Sequence, residues 1–230
     1  MAAKKNTSTK SKTVKPKVKK LQKTDWISAY MTYVLEEEKR PKSVYKFAKN
    51  LGEEEADFYQ FFGSLDALQR SIWEEFYQMS IDLMNQAEET SNFSNREKML
   101  TFFFTFFELL TANRSYVTYS LREHNSALKN LEQLAGLRKH IKQFAGELIE
   151  DKNEGQKIKL LRHNKTIFTE GAWLQTVFLM KFWLDDNSPQ FEQTDIAIEK
   201  SVNTIFDVFN NTPLERVIDF GKFIYQSQKV

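Results

Sequence analysis

The chain has 230 residues, 41% of them hydrophobic and 28% charged, a balance that buries a sizeable core in one or two soluble domains and excludes a chain disordered throughout. It contains no cysteine, which excludes disulfides, thiolate metal sites and cysteine nucleophiles and fits a reducing, cytoplasmic setting. The net charge of +2 conceals a division, because nine lysines precede the first acid, Asp25, and leave 24 basic against 31 acidic side chains in the remainder.

Residues 1–24 are Lys, Thr, Ser and Ala with almost no apolar content, so they cannot bury enough surface to offset their ordering entropy. They read as a disordered Lys-rich arm. Such an arm serves either as a solubilising tail or as a non-specific contact for nucleic acid or an anionic lipid surface. After Asp25 the helical period takes over, with Trp26, Tyr30, Tyr33 and Val34 on one face of a first helix. Further helices are expected over 43–51, 53–61, 65–87, 116–123, 127–150, 156–184 and 195–209. Ser94 and Glu97 make a capping box that opens another, and Thr212, Pro213 and Glu215 make a second box with Pro at the first helical position. Breaks fall at Pro41, Gly52, Gly63, Asn113 and the run Asn187, Ser188, Pro189. The expected fold is all-α, with about nine or ten helices. No apolar run approaches the about 18 residues of a membrane span, since Lys181 interrupts even residues 177–180. The N-terminus lacks the apolar segment of a signal peptide, so a cytoplasmic protein without an integral membrane segment is expected.

Residues 43–68 hold two short helices joined tightly at Gly52. Val44, Phe47, Ala48 and Leu51 form the apolar face of the first, and Phe58, Phe61 and Phe62 that of the second. This is the pattern of a helix-turn-helix. Ser43, Val44, Phe47, Ala48, Leu51, Gly52, Phe58, Tyr59, Phe62, Ser64, Asp66 and Leu68 fall, without a gap, on the structural positions of the TetR-family N-terminal pattern, which this segment resembles. Residues Thr111 and Ala112 with Asn113, Arg114, Ser115 and Tyr116, and the run Lys181, Phe182, Trp183, Leu184, Asp185 and Asp186, look like those of a bacterial TetR-like subgroup. The resemblance implies a helix-turn-helix domain over 25–70 and a helical ligand-binding and dimerisation domain over 71–230.

The departures from the family pattern bear on function. Where the family usually opens its recognition helix with Ser, Lys, Gly and Thr, this chain has Glu53, Glu54, Glu55, Ala56 and Asp57, and Leu65 replaces a later Lys. Phosphate contacts supply much of the affinity for DNA, so carboxylates there oppose it. The acids also have a bland reading, as first-turn carboxylates that favour a helix dipole. The residues left to meet DNA are Lys42, Ser43, Lys46 and Lys49 on the preceding helix and Tyr59 and Gln60 on the recognition helix.

In the body, Phe102, Phe103, Phe106 and Phe107 with Leu110 make a helix apolar over so broad an arc that it must be central. The resemblance implies a chamber lined by such a helix. Tyr116, Tyr119, Phe144, Phe168, Trp173 and Phe178 are the candidate aromatic walls, and the ligand would be large and apolar. The plain alternative is a packed core. Two stripes, Trp173, Val177, Met180 and Leu184, and Ile198, Val202, Ile205, Phe206 and Phe209, are the candidate dimer face that the resemblance implies. Burial inside one subunit is their alternative.

No enzyme is expected. His124, His140 and His163 are isolated, no zinc, di-iron, phosphate-loop or dinucleotide motif occurs, and neighbouring acids such as Asp185 and Asp186 read as helix-end charges. No metal and no cofactor are expected. Two functions remain: a dimeric TetR-fold protein that binds an apolar ligand, a lipid or a protein partner and has weakened or lost operator reading, or a ligand-responsive repressor on a palindromic operator.

Overall fold

The computed structural model describes residues 20–86, 92–124, 126–154 and 165–211, and among these every regular element is helical. Helix α1 (Lys23–Glu37) opens two residues before the expected start, because the Gln22 backbone N–H donates to the Asp25 carboxylate at 2.7 Å. It buries Trp26, Ile27, Tyr30 and Val34 and ends at Glu38, in the left-handed region at φ 49°. Helices α2 (Val44–Asn50) and α3 (Glu55–Phe58) follow, and α4 (Leu65–Gln86) runs without interruption through residue 70, where the sequence suggested a boundary. The Trp26 ring is fully buried and packs against Phe47 at 5.8 Å and edge-on against Phe58 at 5.4 Å, so one aromatic cluster holds the first three helices together.

Helix α5 (Asn95–Ala112) begins on the expected capping box, with Ser94 Oγ accepting from Glu97 N and Glu97 Oε2 accepting from Ser94 N. It is central, as expected, and packs against α4, α8 and α10. Helix α6 (Arg114–Arg122) leads to α7 (Ala127–Glu132) and α8 (Ala135–Glu154), where a single helix was expected over 127–150. The break falls at Gln133, which is buried and spends its side chain on tertiary partners. Its Oε1 accepts from Trp73 Nε1 at 2.9 Å and from Ser120 Oγ, and its Nε2 donates to the Ser120 carbonyl at 2.8 Å. A buried amide that must be satisfied overrides the helical propensity around it.

Helices α9 (Lys165–Asp185) and α10 (Glu192–Asn211), joined through a 3-10 turn at Pro189–Phe191, pack against each other, and α9 also lies along α8. The expected capping box at Thr212 to Glu215, His163 and the side chain of Phe209 lie outside the described residues.

Candidate functional site: the helix-turn-helix face and the α9–α10 groove

Ser43 caps α2 by accepting from Lys46 N at 3.2 Å, so its hydroxyl is occupied within the chain. After α2 the chain reverses at Gly52, whose φ of 74° suits a residue without Cβ. Glu53 N then returns to the Ala48 carbonyl at 3.0 Å. With the buried rings of Phe47, Phe58 and Phe62 turned inward, the polar side chains of α3 face out.

Their partners are one another. Tyr59 Oη donates to Glu55 Oε1 at 2.8 Å, and Gln60 Nε2 donates to Asp57 Oδ1 at 3.1 Å. Asp57 also accepts from the Lys20 ammonium, which holds its carboxyl below the usual carboxylate range. Glu54 flanks the helix start, exposed, with Glu53 beside it. Lys42, just before α2, and Lys46 and Lys49 on it stand exposed, in no described ion pair, with Lys49 Nζ 5.7 Å from the exposed Tyr45 ring. The expected helix-turn-helix residues thus divide between lysines on and just before α2 and carboxylates at and just before α3.

Arg40, which the sequence did not single out, ties this domain to the body. Its guanidinium donates to Tyr30 Oη at 3.2 Å and to Asp66, and lies 3.6 Å from Glu123 at the end of α6. Burial pushes the Tyr30 phenol up to about 12 although Arg40 opposes the rise.

The candidate chamber residues fall into several ring clusters. Phe102, Phe106 and Phe144 stack together with Tyr77 between α4, α5 and α8, at ring separations of 5.0 to 5.7 Å. Phe103 packs on Phe107, which faces Trp183 of α9, and Phe168 packs on Phe206 of α10. Tyr116 is buried beside Tyr30, Tyr119 reaches the Glu38 carbonyl, and Trp173 is half-buried. Phe178 points away from all of them, 54% exposed. His140 is half-buried and stacked on Tyr77 at 4.9 Å.

The dimer stripes also need correction. Ile198, Val202 and Phe206 are buried within the chain, against α5 and α9, as is Met180. Trp173, Leu184 and Ile205 are partly buried against the core, and Val177 is half-buried. The outward face of α9 is Leu174, Phe178 and Phe182, rotated by one residue, or about 100°, from the expected stripe. The reason is that α9 is apolar on nearly all sides, so periodicity alone does not say which side meets the core. Leu174, Phe178 and Phe182 border a groove of about 660 Å³ with Gly171, Gln175 and, from α10, Ile196, Ala197, Lys200 and Ile205. Among the described residues the buried side-chain Oε1 of Gln175 has no hydrogen-bond partner, while its Nε2 donates to Ser201 Oγ at 2.9 Å.

The turn between α9 and α10 is fixed by charge. The Arg114 guanidinium lies 4.4 Å from both the Trp183 and the Phe191 rings and donates to the Trp183, Leu184 and Asp186 carbonyls at 3.0 to 3.4 Å. Trp183 Nε1 donates to Thr111 Oγ1 at 3.0 Å. Asp186, expected as an ordinary helix-end charge, is buried and accepts from the backbone N–H and hydroxyl of both Ser188 and Thr194. Burial alone would raise its pKa, but these four bonds hold it down to about 2. The two segments noted in the sequence around Arg114 and Trp183 are therefore spatial partners. The arrangement stabilises a turn, and among the described residues no three His, Asp or Glu side chains converge to hold a metal.

No described helix is long and apolar enough to cross a membrane. A search of curated proteins finds no match. A family model for the tetracyclin repressor-like C-terminal domain matches residues 98–224, from within α5 to beyond α10 and over half of the chain. With that match on the helical body, the chain belongs to the tetracyclin repressor-like, or TetR, family.

Proposed function

We propose that this TetR-family protein is a homodimer that acts through an apolar ligand, a lipid or a protein partner and has weakened or lost sequence-specific DNA reading. The observation that carries the reading is the state of α3 and its C-terminal turn, where Tyr59 and Gln60, the side chains expected to meet DNA, donate to Glu55 and Asp57. A donor committed to a carboxylate must break a charge-assisted bond before it can read a base edge, and it brings that carboxylate towards the phosphates.

The homodimer is supported by α9. Its outer face carries Leu174 and Phe178, 66% and 54% exposed, with Phe182 one turn further on. The same face of a second copy, turned over a two-fold axis, would bury both as a four-helix bundle. An apolar ligand or foreign helix would have to compete for that groove.

Affinity of the full chain for a mixed-sequence duplex tests the reading. Tyr59→Phe and Gln60→Ala are expected to leave any binding within about twofold, whereas a loss of about tenfold or more in either variant would show direct base or phosphate contact and overturn it. The repressor alternative keeps one observation in its favour, the three exposed lysines Lys42, Lys46 and Lys49 at and before α2. It would use them as phosphate contacts on a palindromic operator, with non-specific contacts expected to fall together when they are replaced.

A further inference from the structure

Gln175 is a buried amide on an apolar face. It lies at the middle of α9, 5% exposed, and lines the groove with Gly171, Leu174, Phe178 and Phe182 of the same helix. Its Nε2 donates to Ser201 Oγ at 2.9 Å, and the Ser201 hydroxyl is itself spent on the Ile198 carbonyl at 3.1 Å. Among the described residues, Oε1 accepts nothing. A primary amide carries two N–H donors and one carbonyl acceptor, so Gln175 has an N–H and a carbonyl to spare. That pair is self-complementary: a second copy of the same amide, related by a two-fold axis, offers each group its partner. The face around it matches itself in shape as well. A Cβ built on Gly171 would meet nothing within 4 Å, whereas Phe178 and Phe182 stand out from the same stripe. No acid lines the groove, and Lys200 is the one charged side chain among its lining residues. In a two-fold contact, residue i meets j wherever j meets i. A Phe182 ring set over Gly171 of the other copy therefore puts the axis between positions 176 and 177, beside Gln175.

We infer that a second copy of this chain lies antiparallel across the groove, with Phe182 of each copy over Gly171 of the other, and that the two Gln175 amides pair at the axis and fix the register. This deepens the homodimer reading and rests on it. A register slipped by one turn covers similar apolar surface but separates the amides and leaves both acceptors buried without a partner, at a cost of about 1–3 kcal/mol each. The apolar stripe holds the copies together. The amide decides how they align, as a single buried polar side chain does in a coiled coil.

Because the chain has no cysteine, thiol cross-linking reads the register directly. Full chains carrying Gly171→Cys and, separately, Phe182→Cys are mixed, allowed to exchange subunits and oxidised. The mixture is expected to give a disulfide-linked pair of unlike chains, which needs Cα atoms within about 7 Å, and each chain alone is expected to give little. Adding Gln175→Leu to both chains is expected to preserve association in sedimentation equilibrium and to cut the unlike-chain product about fivefold, as links between like chains appear. An unchanged yield with Gln175→Leu would overturn the inference and leave Oε1 to a buried water. A dimer of the unaltered chain in sedimentation, with no link between positions 171 and 182, would overturn it while sparing the homodimer reading. Sedimentation of the unaltered chain as a monomer would instead remove the homodimer reading itself, and this inference with it.

Discussion

In the N-terminal region of this protein the rings go inward and the charges outward: Trp26, Phe47 and Phe58 are fully buried, while Lys42, Lys46, Lys49 and Glu54 face solvent. At the α9–α10 end the assignment is reversed. Asp186 is buried with four hydrogen bonds and Arg114 is clasped between two rings, while Leu174, Phe178 and Phe182 look outward. The difference teaches what each surface can bind. A face of exposed charges whose partners are charges gives contacts that salt dissolves, whereas an apolar face gives contacts that salt leaves intact.

The strongest way to break the comparison lies in the groove. Phe178→Glu puts a charge at the centre of the outward face without touching the core, and is expected to weaken self-association by about 4 kcal/mol, measured by sedimentation equilibrium, with unchanged helical content. Persistence of the dimer would move the interface elsewhere. Next is the buried carboxylate. Asp186→Ala leaves Ser188 and Thr194 donors unpaired and is expected to cost about 3 kcal/mol in chemical unfolding at neutral pH.

The same residue gives a pH dependence. Its folded pKa is depressed, so its contribution is present above the unfolded value of about 3.9 and is lost as pH falls towards about 2. The gap between wild type and Asp186→Ala should therefore close over that window. Arg114→Ala is expected to cost about 2 kcal/mol, and Arg114→Lys nearly as much, because an ammonium cannot both stack between two rings and reach three carbonyls. The smallest effect is a gain. Gln190 sits at φ 55° in the turn, and Gln190→Gly should raise stability by up to about 1 kcal/mol in the same unfolding assay.

Much of this architecture was legible in the sequence because it rests on local signals. The Ser94 capping box, the Gly52 reversal and the broad apolar arc of α5 each specify their element through neighbouring residues alone. The split at Gln133 was not legible, since its cause is a set of partners at positions 73 and 120. The facing of α9 was hidden for a different reason: with apolar residues around most of the helix, Leu174, Phe178 and Phe182 give the same period as Trp173, Val177 and Met180. The acids of α3 were visible, but not that Tyr59 and Gln60 would turn to them. The spacing of Glu55 and Tyr59, i and i+4 on one helix, was the available signal. Asp186 was hidden by its resemblance to any helix-end acid, although Ser188 and Thr194 shortly after it offered the hydroxyls that complete its shell.

The central claim, that the helix-turn-helix has weakened or lost specific DNA reading, is tested most directly by selecting bound duplexes from a random library with the full chain at near-physiological salt. The account predicts no enriched sequence, with any retained DNA bound weakly and released steeply as salt rises. Enrichment of a palindrome with two half-sites about one helical turn apart would contradict it and establish operator recognition by this face.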